Sequence, residues 1–143
     1  MAQRVRVDAV ADAELERHKL LPSKLALVGF SQGTMLALHL ALRRTQAVAA
    51  VVGYSGMLVL EEGKGAESLK GAIRAKPPVL LVHGDQDDLI PLDALFLSTE
   101  ALAAAEVPCE WHLSAGIGHG IDADGLRHGG LFLARAFGLP FPK

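Results

Sequence analysis

Leu25-Ala26-Leu27-Val28-Gly29-Phe30-Ser31-Gln32-Gly33-Thr34-Met35-Leu36-Ala37-Leu38 decides the fold, because its character changes in the middle. An unbroken apolar run of strand length reaches Phe30, and an alanine- and leucine-rich stretch of helical length runs from Ser31 to Arg44. Residues 25–42 carry no Asp, Glu, Lys or Arg and are long enough to raise the question of a membrane span. Two glycines and the polar Ser31, Gln32 and Thr34 answer it. They divide the run into strand, turn and helix, so no integral membrane segment is expected.

That context gives meaning to Gly29-Phe30-Ser31-Gln32-Gly33, a G-x-S-x-G pattern. Flanking glycines, lacking Cβ, let helix and strand close around a serine held in a strained turn with its hydroxyl exposed. The Gln32 backbone N–H and the helix N-terminus aim at the same point, where they suit negative charge developing on a substrate oxygen. A serine hydroxyl is a weak nucleophile until a histidine takes its proton, and that histidine needs an acid to hold its tautomer. The chain further on should therefore supply both.

Working outward, residues 7–21 place Val7, Ala11, Leu15 and His18 at helical spacing among charged residues, and Pro22 ends that surface helix. Residues 24–30, 47–54 and 79–82 read as strands covered on both faces. Residues 31–44 and 91–105 read as helices, with Pro91 suited to a first turn. Residues 55–76 read as a loop whose middle, Glu61-Glu62-Gly63-Lys64, is polar. In the fourth strand Cys109, Trp111 and Leu113 alternate with Glu110, His112 and Ser114, and Pro108 stands at its start, which places it at a sheet edge. A last helix over residues 122–137 aligns Leu126, Gly130, Leu133 and Phe137, and the tail from Pro140 to Lys143 cannot prolong it. Strands alternating with helices predict an α/β architecture: one mostly parallel sheet of about four strands with helices on both faces. At 143 residues the chain has room for one domain.

The acid and the base belong on loops at the carboxyl ends of later strands. His83-Gly84-Asp85-Gln86-Asp87-Asp88 follows the third strand, and Gly116-Ile117-Gly118-His119-Gly120 follows the fourth. Of six histidines, His119 alone is flanked by glycines in a strand-to-helix loop, and it is the expected base. His83 is expected to bond to backbone and shape its turn. Spacing does not choose among Asp85, Asp87 and Asp88. No metal or other cofactor is expected: the aspartate run lacks the glycine and distal glutamate of a calcium loop, and no histidine pair stands at zinc spacing. Cys109 reads as a small buried hydrophobe, and a lone cysteine closes no internal disulfide. Fourteen basic against sixteen acidic residues, a net charge of −2, provide no field for nucleic acid. The start Met1-Ala2-Gln3-Arg4 lacks the apolar core of a secretory signal, so the cytoplasm is the expected location.

Together with Tyr54-Ser55-Gly56, the three loop motifs resemble the phospholipase/carboxylesterase family of α/β-hydrolases, which includes acyl-protein thioesterases, over residues 24–143. The resemblance assigns the acid to Asp87, leaving Asp85 as a turn residue, and gives Ser31, Asp87 and His119 as catalytic residues with the Gln32 N–H receiving the oxyanion. It implies a serine carboxylester hydrolase acting on small-molecule acyl esters through an acyl-enzyme, with thioester hydrolysis a variant. It also implies a truncated α/β-hydrolase fold, a single partial domain over residues 1–143. The family's amino-terminal half, with the His-Gly-rich loop that gives the other oxyanion N–H, has no counterpart before Ser23. A competing reading follows from that gap: a non-catalytic interaction module that keeps the elbow as a folding feature. In either reading the edge at residues 25–28 lacks a partner strand, which predicts a homo-oligomer, most simply a dimer.

Overall fold

The structure is a computed structural model that describes residues 2–60, 65 and 67–141. The polar run Glu61-Glu62-Gly63-Lys64 and the tail residues Pro142 and Lys143 lie outside the described residues. The elements in chain order are α1 (Ala2–Arg17), a 3-10 turn (Pro22–Lys24), β1 (Ala26–Phe30), α2 (Gln32–Arg43), β2 (Ala50–Tyr54), α3 (Glu67–Ala72), β3 (Val79–Gly84), α4 (Leu92–Ala104), β4 (Cys109–Ser114) and α5 (Ala123–Phe137). The four strands are parallel and lie in sequence order, β1-β2-β3-β4. Phe30 is level with Tyr54, and His83 with Leu113, so all four strand ends open on one rim.

Period-two alternation sorts the strand side chains into two cores. Val51, Val79 and Leu81 face α2 and α4, where Leu38, Leu42, Leu95 and Leu102 complete the larger core. Ala50, Val52, Tyr54, Leu80 and Val82 face α5 and pack with Phe132. Helices thus cover both faces of β2 and β3, and these two strands are buried along their whole length. α1 docks on α2 through Ala11 and Leu15, as its stripe predicts, and through Arg44, whose guanidinium holds Asp8 and Asp12 at 2.6 and 2.8 Å. No helix among the described residues is long and apolar enough to cross a membrane.

Four expectations need correction. β1 is not covered on both faces: α5 lies over β2, β3 and β4, which leaves Val28 57% and Phe30 42% exposed on that side. The loop expected over residues 55–76 contains the short helix α3, which buries Leu69. In α5 the stripe facing the sheet is Gly125, Gly129 and Phe132, while Leu126 is 59% exposed. Closeness explains the offset, since a Cβ at Gly129 would overlap the Tyr54 hydroxyl, which donates to the Gly125 carbonyl at 3.1 Å. Glycine there gives up hydrophobic area for approach distance. In β4 the expected apolar side is half covered, with Trp111 meeting Phe96 edge to face at 5.5 Å yet remaining 49% exposed, as an edge strand permits.

Candidate active site

The turn from β1 into α2 is strained where the sequence places its serine. Ser31 has φ 56° and ψ −116°, its N–H donates to the Tyr54 carbonyl at 2.8 Å, and its own carbonyl accepts from Thr34 N at 3.0 Å. A non-glycine residue in this region costs free energy and persists only where its surroundings hold it. Gly29 is one such support: a Cβ there would lie 2.5 Å from the Gly33 carbonyl group and from Thr34 N. Gln32 opens α2, and its N–H, like others of a first helical turn, has no acceptor within the helix. Thr34, fully buried, ties the elbow to β2 by donating to the Tyr54 carbonyl at 2.9 Å.

The loop after β3 wraps around a carboxylate. Asp87 Oδ1 accepts from Leu89 N and Ile90 N at 2.9 and 2.8 Å, and Oδ2 lies 2.8 Å from His119 Nδ1. The side chain is fully buried. Burial alone would raise its pKa, but the Ile90 N–H, His119 and the Leu89 N–H outweigh it, and the carboxyl is held below the ordinary carboxylate range. Asp85 points elsewhere and accepts from Gly116 N at 2.7 Å, which ties the two loops together. His83 is 1% exposed and its Nε2 lies 2.8 Å from the Ile90 carbonyl, the backbone bond expected of it, with Asp87 Oδ2 at 3.5 Å.

His119 stands between the two. Its Nε2 is 3.0 Å from Ser31 Oγ, so the geometry brings Ser31, His119 and Asp87 into one hydrogen-bonded line across 88 residues of chain. With Nδ1–H donating to the carboxylate, Nε2 carries the lone pair that faces the hydroxyl. The Phe30 ring lies against the imidazole at 5.0 Å between centroids. Behind His119, Gly84 leaves room for the loop, since any Cβ there would strike the Ile117 and Gly118 carbonyls. Asp122 then starts α5 by accepting from Gly125 N at 2.8 Å and from Ser114 Oγ at 2.8 Å.

Beside the elbow a groove of about 990 Å³ runs along α2. Gln32 and Gly33 border its upper end, Met35, Leu36, Val59 and Leu60 give it apolar walls, and Arg4, Arg6, His39 and Arg43 line it as well. Burial, followed by the charges of Arg43 and Arg4, lowers the His39 pKa. Cys109 is half-buried, and burial, with Glu110 beside it, pushes its thiol up to about 11, which leaves little thiolate at neutral pH. Among the described residues no three His, Cys, Asp or Glu side chains gather as a metal site would need.

Two residues that hold this site carried no sequence signal of their own. Thr34 and Ser55 are buried polar side chains whose value lies in what they bond to across the sheet. The one available hint was Tyr54-Ser55-Gly56, a serine and glycine ending the strand that neighbours the elbow.

Comparison with known proteins bears on the fold and the family. The crystal structure of esterase PE8 superposes with a TM-score of 0.84 at 36% identity, covering 91% of this chain and 58% of that one. Arabidopsis thaliana SOBER1 gives 0.82 at 25% identity, with 94% of this chain and 62% of that one. Acyl-protein thioesterase 1 of Gibberella zeae is 28% identical over 100 residues, 70% of this chain and 43% of the thioesterase. The chain therefore spans about half the length of such relatives, and its sheet is truncated relative to theirs. The family match starts earlier than the motifs alone imply, taking in α1. Residues 3–135 match the phospholipase/carboxylesterase model, and the chain belongs to that family, with the α/β-hydrolase fold.

Proposed function

We propose that the protein is a serine carboxylester hydrolase that works through an acyl-enzyme intermediate on small acyl esters. The observation that carries this reading is the line Ser31 Oγ, His119 Nε2 and Nδ1, Asp87 Oδ2, with heavy-atom spacings of 3.0 and 2.8 Å. In the first half-reaction the Ser31 proton passes to His119 Nε2 as Oγ bonds to the ester carbonyl carbon. The carbonyl oxygen takes up the negative charge against the Gln32 N–H at the positive end of α2. Collapse breaks the ester C–O bond, and His119 returns the proton to the departing alcohol. Water then repeats the sequence with His119 as base, releasing the acid and restoring Ser31.

The buried Asp87 holds Nδ1–H throughout and offsets the charge of the imidazolium. The apolar walls at Met35, Leu36 and Leu60 suit the acyl chain. Thioesters fit the same sequence of steps with a thiol as leaving group, a variant supported by relatives named acyl-protein thioesterases. The Gln32 N–H is the oxyanion donor identified among the described residues, and loss of a single such donor typically costs about 10²–10³ in kcat. A second copy covering the β1 edge and the apolar face beside it is part of the same proposal, supported by the place of β1 at the end of the sheet and by Val28 and Phe30 standing open on that face.

The test is active-site labelling with a fluorophosphonate, alongside hydrolysis of p-nitrophenyl butyrate. The wild type should be labelled and turn over, and Ser31→Ala should do neither while keeping its circular dichroism spectrum. A folded wild type that takes no label and hydrolyses no ester refutes the proposal in favour of the interaction module.

A further inference from the structure

We infer that Ser55 is a positioning residue that sets the reach between Ser31 and His119, an inference that rests on the serine-hydrolase reading above. Ser55 is the first residue past β2, fully buried, and its backbone lies in the left-handed region at φ 51°. Glycine adopts that conformation without cost, whereas serine does so only against its Cβ. A strained, buried, polar residue asks what its side chain does there. Its hydroxyl donates to the Gly120 carbonyl at 2.8 Å, the residue directly after His119.

The position of Ser55 in the sheet makes that bond consequential. Its N–H continues the ladder to the Val82 carbonyl at 2.8 Å, so its backbone is fixed to β3. Its neighbour Tyr54 receives both the Ser31 N–H and the Thr34 hydroxyl through one carbonyl. On the other side, a Cβ on Gly56 would lie 2.7 Å from the Ser31 carbonyl oxygen. Tyr54 and Gly56 therefore pack against the nucleophile's turn, and Ser55 between them holds the histidine's loop. Among the described residues no other hydrogen bond joins the segment after β2 to that loop. Asp85 and Gln86 bind the same loop at Gly116 and Ile117, upstream of His119; downstream, Ser114 Oγ holds it at Asp122 and Ser55 holds it at Gly120, the residue directly after His119.

If Ser55 acts through His119, its loss should lower kcat and leave KM nearly unchanged, because substrate does not touch it. A misplacement of about 1 Å between reacting groups can cost 10²-fold, and the expected loss in kcat is tenfold or more. Two variants separate hydroxyl from backbone: Ser55→Ala removes the hydroxyl and keeps the strain, and Ser55→Gly removes both. Steady-state kinetics on p-nitrophenyl butyrate, the pH dependence of kcat/KM and thermal unfolding would be measured on each. The inference expects both variants to lose kcat alike. It also expects the rising limb of kcat/KM to differ from that of the wild type, since the imidazole's distance to the Asp87 carboxylate changes. Wild-type kcat in either variant overturns it, as does a loss that follows the unfolded fraction with the limb unmoved. Failure of both variants to fold assigns Ser55 to stability and overturns it as well. A wild type that neither labels nor turns over refutes the hydrolase reading itself, a result distinct from all of these.

Discussion

Asp87→Asn changes one oxygen to an amide nitrogen and should all but extinguish hydrolysis, for reasons that can be followed atom by atom. The carboxylate makes three hydrogen bonds and accepts in every one: Leu89 N and Ile90 N on Oδ1, His119 Nδ1 on Oδ2. An asparagine has one acceptor oxygen and an NH2 that only donates. With its oxygen toward Leu89 and Ile90, its NH2 faces Nδ1, and the imidazole must move its proton to Nε2, where it confronts the Ser31 hydroxyl as a donor. With the amide turned over, the NH2 confronts two backbone N–H groups in a fully buried site, an arrangement that leaves buried donors unsatisfied. The first arrangement is the less costly and gives the wrong tautomer, for which the loss in serine proteases is on the order of 10⁴ in kcat, ~5 kcal/mol in the barrier.

Asp85, whose carboxylate reaches only Gly116 N, and Asp88 should tolerate the same change with mild losses. Steady-state hydrolysis of p-nitrophenyl butyrate ranks the three variants. A second readout follows from linkage. The Asp87 pKa is lowered in the folded state, so its contribution to stability is present above the ordinary carboxylate range and lost as pH falls through the lowered value. Urea midpoints measured down that range should fall more steeply for wild type than for Asp87→Asn. An Asp87→Asn enzyme within tenfold of wild type, or one outranked in damage by Asp85→Asn or Asp88→Asn, refutes the reasoning.

A histidine base makes kcat/KM climb with pH through one ionisation between about pH 5 and 8, and a flat profile there would exclude His119 from the role. Gly29→Ala drives a Cβ into the backbone of Gly33 and Thr34, which cannot yield as a side chain would; a loss of stability of about 1–3 kcal/mol by urea unfolding is expected, together with loss of fluorophosphonate labelling. Sedimentation equilibrium at micromolar concentration should show a dimer through the β1 edge, and a folded, fully active monomer would dismiss it.

The sequence made the elbow and its two partner loops legible because they are local: a glycine pattern between a strand and a helix, and polar loops at strand ends. The four parallel strands and the edge place of the last followed from their apolar runs, the alternating helices and Pro108, whereas their order across the sheet came only with the structure. What stayed hidden depends on distance across the sheet. The face of α5 was misplaced because Gly125 and Gly129 contact the sheet by being small, which no hydrophobic periodicity records. β1 looked like a strand covered on both faces because its composition is apolar throughout, and only the placement of α5 shows that one face is open. α3 is six residues long with one buried anchor, too short for a period to emerge. Ser55 looked like any loop serine, since neither its φ nor its bond to Gly120 leaves a trace in residue types.

The sequential strand order also governs how the molecule comes into being. During synthesis the amino-terminal elements emerge first, and each later strand meets an edge already formed, so none has to be inserted between two others. The hydroxyl of Ser31 appears early, on an elbow that is complete once β2 is in place, yet His119, the base of the proposed mechanism, is still 88 residues further along the chain. Until the last loop docks under Ser55 and Asp87, that serine is an ordinary alcohol. On the proposed mechanism, the nascent chain carries an elbow whose serine stays unreactive until β4 and α5 close and bring His119 within 3.0 Å of Ser31.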